Sequence, residues 1–190
     1  FDINKNVKKY IKSLLKLNNI TYNEIALSNK TGKAIYNYNS SFESSGSSLS
    51  SVYKNDSQWN NSRKFILKIL SPGNNETGFV KYTVKTITLD NFVKKKKVKT
   101  IDILKIDVDG FEQQLLQGAK KTLKNNKVKT LLIEISAKKE LFNKKEKKII
   151  NLLKKNNFIF MEKSNIFSVS LFSNTRSEDY LFVNKNYLRS

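Results

Sequence analysis

Three carboxylates stand where two strand-like runs end. Asp107 and Asp109 close the run Ile103-Leu104-Lys105-Ile106-Asp107-Val108-Asp109-Gly110, and Glu134 closes Leu131-Leu132-Ile133-Glu134. A carboxylate in such a place can take a proton from a reacting hydroxyl or orient it. In open α/β sheets ligands bind outside the carboxyl ends of the strands, so strand ends are where chemistry is expected. Lys105 lies inside an apolar strand, and an unpaired buried ammonium costs several kcal/mol. A pair of Lys105 with Glu134 or with Asp107 would relieve that cost. The helix that opens after Gly110 adds an N-terminal dipole that favours anions. Asp109 alone reads as a helix cap and Gly110 as turn relief, but the whole cluster of charges at one sheet edge reads as a site. Two further strand ends qualify. Phe1-Asp2 places an acid directly before a helical pattern, and Ala26-Leu27-Ser28 ends the next strand.

Several chemistries are excluded outright. The chain has no cysteine and no histidine. Disulfides, thiolate nucleophiles, Ser-His and Cys-His triads, and cysteine or histidine metal sites are therefore ruled out. No metal centre is expected, and the base must be a carboxylate or a lysine of depressed pKa. The net charge is +20, yet only three of the 36 basic residues are arginine. Lysine is spread along the chain beside abundant asparagine, and A/T-rich codons encode both. Compositional bias explains this pattern better than dedicated phosphate recognition, which favours the arginine fork. No specific nucleic-acid partner is expected, although weak salt-sensitive binding to anions follows from the charge itself. No stretch approaches the roughly 20 apolar residues of a membrane helix, so no membrane span is expected, and the location is read as cytoplasmic.

At 190 residues the chain has the length of one domain. Residues 4–19 read as a helix, with Val7, Ile11, Leu14 and Leu15 on one face. Residues 21–28 and 33–39 read as strands of a hairpin around the turn 29–32. Residues 40–51 form a long Ser-rich loop. Residues 64–70 and 79–88 are strand candidates around the turn 71–74. Thr88 reads as the cap of a short helix to Val93. The second half changes rhythm: strand 101–107, helix 110–125, strand 130–136, helix 141–156, then strands 158–162 and 179–184. The lysine run 138–148 reads as a solvated helix face. This alternation implies βαβ crossovers and a parallel sheet covered on both faces, in a single α/β domain.

The run ILKIDVDGFEQQLLQGA resembles the signature of FkbM-type S-adenosylmethionine-dependent methyltransferases, a strand K-I-D-V-E-G-x-E followed by a helix with L-x-G-A; Asp109 replaces the usual Glu. Phe1-Asp2-Ile3-Asn4 is similar to the family's F-E-P-N segment. Ile25–Gly32 is similar to its A-L-S-D-K-x-G hairpin, Thr88–Phe92 to T-L-D-x-F, and Leu131–Glu134 to the next strand. The segments occur in the family's order.

The resemblance implies a class I, Rossmann-like, mostly parallel sheet with a terminal antiparallel strand, and S-adenosylmethionine as cofactor. Asp2 would accept hydrogen bonds from the ribose hydroxyls, and Ala26, Leu27 and Ser28 would lie near the adenine. Asp107 and Asp109 would face the methyl donor or acceptor, with Glu134 in support. The acceptor would be a hydroxyl of a sugar, glycolipid, polysaccharide or related metabolite, selected by residues 40–61 and 166–179. Residue 1 is Phe, and no Gly-x-Gly occurs. The chain is accordingly read as N-terminally incomplete, lacking the first strand and part of the second. An inactive fragment or pseudo-enzyme, and a non-catalytic basic module binding anionic polymers, are the alternatives.

Overall fold

A computed structural model describes residues 1–3, 11, 14–16, 19–39, 48–49, 79–108, 110–164 and 175–188. The chain divides into two compact units, residues 1–26 with 32–86, and residues 27–31 with 87–190. The first sheet holds β1 (Ala26–Leu27), β2 (Gly32–Asn39), β3 (Ser48–Leu49) and β4 (Phe79–Ile87) in the order β1-β4-β2-β3. β2 runs antiparallel to β4, from Gly32↔Thr86 to Asn39↔Phe79. The cross-strand pair Tyr36↔Tyr82 meets edge to face, with ring centroids 5.2 Å apart.

The hairpin expected from residues 21–39 is therefore corrected. β4 lies between β1 and β2, and the first strand contracts to two residues. The long alternating pattern of β4 offers β2 a full partner, which residues 21–25 cannot match. Most of the helix expected at 4–19 lies outside the described residues, apart from a 3₁₀ turn at Leu14–Lys16. The strand expected at 64–70, the turn 71–74 and residues 40–47 of the Ser-rich loop also lie outside them.

The second unit carries α1 (Leu89–Lys95), β5 (Ile101–Ile106), α2 (Glu112–Gln117), α3 (Lys120–Lys124), β6 (Val128–Lys138), α4 (Lys139–Lys155), β7 (Phe158–Lys163) and β8 (Thr175–Asn184). Thr88 caps α1 as expected, its Oγ1 accepting from the Asn91 amide at 3.1 Å. The sheet order is β5-β6-β8-β7. β5 and β6 pair in parallel, whereas β8 is antiparallel to both its neighbours. The sheet is thus mixed, where a mostly parallel one was expected. Two causes are visible. A parallel pair needs a crossover, which α2 and α3 supply between β5 and β6. No described helix joins β7 to β8, and they pair antiparallel.

One face of this sheet is the core. Ile106, Leu131, Ile133, Ile135 and Phe182 are fully buried with Leu116 and Leu123 of the short helices and Phe142, Ile149 and Leu153 of α4. The apolar residues of α4 recur at helical spacing, which explains both the helix and the face it buries. The other face is more open, contrary to the expectation of a sheet covered on both sides. Among the described residues β5 is the outermost strand of this sheet, and its Ile103 is 70% exposed.

The single helix expected at 110–125 is two helices. The break at Gly118–Ala119 has a local cause. Asp90 Oδ1 accepts from the Thr122 amide (2.8 Å) and hydroxyl (2.7 Å), and Oδ2 from the Lys121 amide (3.0 Å). That carboxylate satisfies the unpaired amides that open α3. The Asp90 amide in turn donates to the Gly118 carbonyl at 3.0 Å.

Candidate functional site

Parallel register brings two of the expected residues together. Ile106 of β5 pairs with Ile133 of β6, so Asp107 and Glu134 follow at the same level on the open face. β6 continues to Lys138, so Glu134 lies within its strand and does not close it as expected, because β8 offers antiparallel partners through Lys138. Antiparallel register adds a third carboxylate, because Glu134 lies opposite Asp179 of β8. Ser177 and Asp107 both lie close enough to Glu134 to act on its proton, Ser177 favouring the charged carboxylate and Asp107 the neutral acid. Among the described residues, no group of three or more carboxylates is placed to hold a metal ion.

Lys105 is exposed rather than buried, and its Nζ donates to Asp107 Oδ2 at 2.8 Å. Its exposure on β5 reduces the desolvation cost anticipated for it. The hydrogen bond from Lys105 to Asp107 holds its ammonium above the ordinary lysine range. Lys105 is therefore a charged partner of Asp107, not a base of depressed pKa. An exposed pair of this kind contributes little stability, about 0–1 kcal/mol.

Burial pushes the Glu134 carboxyl above the ordinary range, and the negative charges of Asp107 and Asp179 push it further, against the lowering hydrogen bond from Ser177. The consequence for stability has a definite sign. The native state holds the Glu134 proton more tightly than the unfolded chain. The stability that this contributes is complete below the ordinary value near 4.5 and is lost as pH rises through the folded-state value. Glu134→Gln is accordingly expected to raise Tm at pH 8, with the gain vanishing by about pH 4. Thermal melts at the two pH values check this, and an unchanged or lower Tm at pH 8 would refute it.

The loop after β5 is held from beneath. Gly110 adopts φ = 97°, a left-handed conformation that disfavours any side chain. Its amide donates to Glu112 Oε1 at 2.7 Å. The Glu112 side chain is 0% exposed and its Oε2 forms an ion pair with Lys145 of α4, which is 13% exposed. Lys145 Nζ also donates to the carbonyls of Gly110 (2.8 Å) and Ser136 (2.6 Å). One buried pair thus ties the loop after β5 to the end of β6 and to α4. Asp109 lies outside the described residues. Lys145 corrects the reading of residues 138–148 as wholly solvated.

The remaining expected residues are placed as follows. In the first unit, the Asp2 amide donates to the Asn23 carbonyl at 3.2 Å, and the Tyr22 hydroxyl donates to the Asp2 carbonyl at 3.1 Å. Ala26 and Leu27 are buried on β1, and the Leu27 side chain belongs to the hydrophobic core. The buried Ser28 donates its amide to the Ile87 carbonyl at 3.0 Å.

The sequence reading missed Asp179, Ser177, Glu112 and Lys145 as partners. Asp179 was legible only as the start of a strand pattern, since cross-strand register is not written in local spacing. A second charged cluster was missed too. Glu178 is buried, with Tyr180 donating to its Oε2 at 2.6 Å and Arg176 Nε donating to its Oε1 at 2.8 Å, and Lys163 also pairs with it. Burial pushes the Glu178 carboxyl up, but the hydrogen bonds from Lys163, Tyr180 and Arg176 outweigh this and hold it below the ordinary range.

In comparison with known families, the model of the methyltransferase FkbM domain aligns with residues 2–160. No curated protein and no solved structure matches the chain.

Proposed function

This chain belongs to the FkbM methyltransferase family, and we propose on that basis that it transfers a methyl group from S-adenosylmethionine to a hydroxyl oxygen of a sugar, glycolipid, polysaccharide or related metabolite. Its resemblance is to a methyltransferase; the donor, the acceptor class and the residue roles are our reading. The observation that carries them is the meeting of Asp107, just past the end of β5, with Glu134 of β6 and Asp179 of β8, with Glu134 held above the ordinary carboxyl range. The order β5-β6-β8-β7, with an antiparallel β8 inserted, supports a class I, Rossmann-like reading of the second sheet.

When bound, S-adenosylmethionine supplies an electrophilic methyl carbon on a sulfonium that leaves as a neutral thioether. The residues suit that group by their chemistry. Paired ribose hydroxyls are donors, and the partly exposed Asp2 is the acid proposed to accept them. Ala26, Leu27 and Ser28 are proposed for the adenine, and with the Leu27 side chain in the core it is the backbone that is left to face the base. Asp107 and Glu134, side by side just past the Ile106↔Ile133 pair, take the proton that the acceptor hydroxyl loses. Lys105 fixes the Asp107 carboxylate from the solvent side. Asp109 is proposed to orient the acceptor beside them. Alignment of the reactants supplies most of the rate. We place the activity in the cytoplasm.

The test uses S-adenosylmethionine with a labelled methyl group and a panel of glycans and polyols. Asp107→Asn and Glu134→Gln are each expected to lower kcat by about 100-fold or more, while S-adenosylhomocysteine still binds. Full turnover by either folded variant would remove that residue from the reaction. Absence of transfer to every hydroxylated acceptor, beside transfer to an amine, would overturn the acceptor class.

A further inference from the structure

The outer face of α4 and the adjoining edge strand β7 carry a feature that methyl transfer does not use. Six exposed lysines line the helix: Lys139, Lys144, Lys147, Lys148, Lys154 and Lys155. The only acids of α4 are Glu140 and Glu146, and Glu146 lies beside the Tyr180 hydroxyl and 3.5 Å from Lys163 Nζ. Helical spacing stacks Lys147 over Lys154, and Lys144 over Lys148 and Lys155.

A solvated lysine face is ordinary, but this one borders exposed apolar side chains. The pairing of β7 with β8 slips between Phe160 and Glu162, so Met161 is a bulged residue. Met161 is 51% exposed and Phe160 40%. Phe160, Ile150 and the Tyr180 ring line a hollow of about 300 Å³, with Lys154 on its wall. Large apolar side chains on a bulged edge strand, beside a row of ammonium groups, meet the two requirements of an anionic lipid surface. Such a surface offers negative headgroups for lysine and an acyl boundary for Phe and Met. A nucleic-acid backbone would reward the lysines and leave Met161 without a partner.

We infer that the α4–β7 face docks this protein peripherally on an anionic phospholipid bilayer. This goes beyond the proposed methyl transfer and does not depend on it. The lysines supply the long-range attraction, and Phe160 and Met161 enter the headgroup boundary. Among the described residues no helix is long and apolar enough to cross a membrane, and docking of this kind needs none.

The test is sedimentation of the full chain with vesicles of phosphatidylcholine alone, or with phosphatidylserine added. Binding is expected only when phosphatidylserine is present, and it should fall steeply as salt shortens the screening length. A lysine near an anionic surface is worth about fivefold in partitioning. Lys147→Gln/Lys148→Gln/Lys154→Gln should therefore lower binding by about 100-fold, the product of three such contacts. Met161→Ser should lower it severalfold without changing the melting temperature. Lys94→Gln/Lys95→Gln/Lys96→Gln at the C-terminal end of α1 removes the same charge elsewhere and should leave binding nearly intact. Equal losses from the two triple variants would overturn the proposal in favour of diffuse charge. So would absence of binding to phosphatidylserine vesicles at low salt. Tighter binding to single-stranded RNA that ignores Met161→Ser would reassign the face to a polyanion.

Discussion

Gly118→Ala is expected to destabilise the protein by about 3 kcal/mol, the upper part of the range for overpacking a close contact. The reason is a backbone contact, not a torsion. Gly118 has φ = −77°, which any residue can adopt. A Cβ built there would lie 2.1 Å from the Ser28 carbonyl oxygen and 3.3 Å from the Asn29 Cα. Both obstacles are main chain, so no rotamer change relieves them. Movement of Ser28 would strain its amide bond to Ile87, and movement of Gly118 would pull on the Asp90 amide that holds the α2–α3 break. For a chain of this size the loss corresponds to a fall in Tm of about 10 °C. Circular dichroism melts read it directly. A change of only one or two degrees would mean that the segment 28–31 stands off from the helix.

The second large effect is expected at Lys145. Its ammonium neutralises a carboxylate that has no access to water and also satisfies two carbonyls, those of Gly110 and Ser136. Lys145→Met leaves Glu112 charged and buried without its partner, and loss of one member of a buried pair costs about 3–5 kcal/mol. The double variant Glu112→Gln/Lys145→Met should be more stable than Lys145→Met alone, because the orphan charge is gone. A double-mutant cycle by denaturant titration separates these outcomes, and simple additivity would show that the two side chains do not interact. The folded fraction of Lys145→Met should also turn over more slowly, since the pair anchors the loop that follows Asp107.

Much of the second unit was legible in the sequence because its signals are local. The apolar spacing of residues 142–153 marked a buried helix face, and Thr88 marked a cap. The motif Thr88-Leu89-Asp90 was legible only as a string. Its role became clear once Asp90 was seen to close the first amides of α3, some thirty residues away. The break of the 110–125 helix followed from the same contact and from the approach of Ser28 to Gly118, neither of which helical periodicity encodes.

The candidate site divides along the same line. Side-chain chemistry and strand ends singled out Asp107 and Glu134, since charge at the end of an apolar run is written in the chain itself. Burial was misjudged for Lys105, because that depends on whether β5 is central or at an edge, and strand order is a long-range property. Register brought Asp179 and Ser177 to Glu134, and a contact across α4 made Lys145 the partner of Glu112. By itself the sequence determined the residue types, the periodicity of the elements, the caps and the family. Only the tertiary structure decided which charges meet, which are buried and how tightly Glu134 holds its proton. Those outcomes depend on distance and desolvation between segments far apart in the chain, and local spacing carries no measure of either.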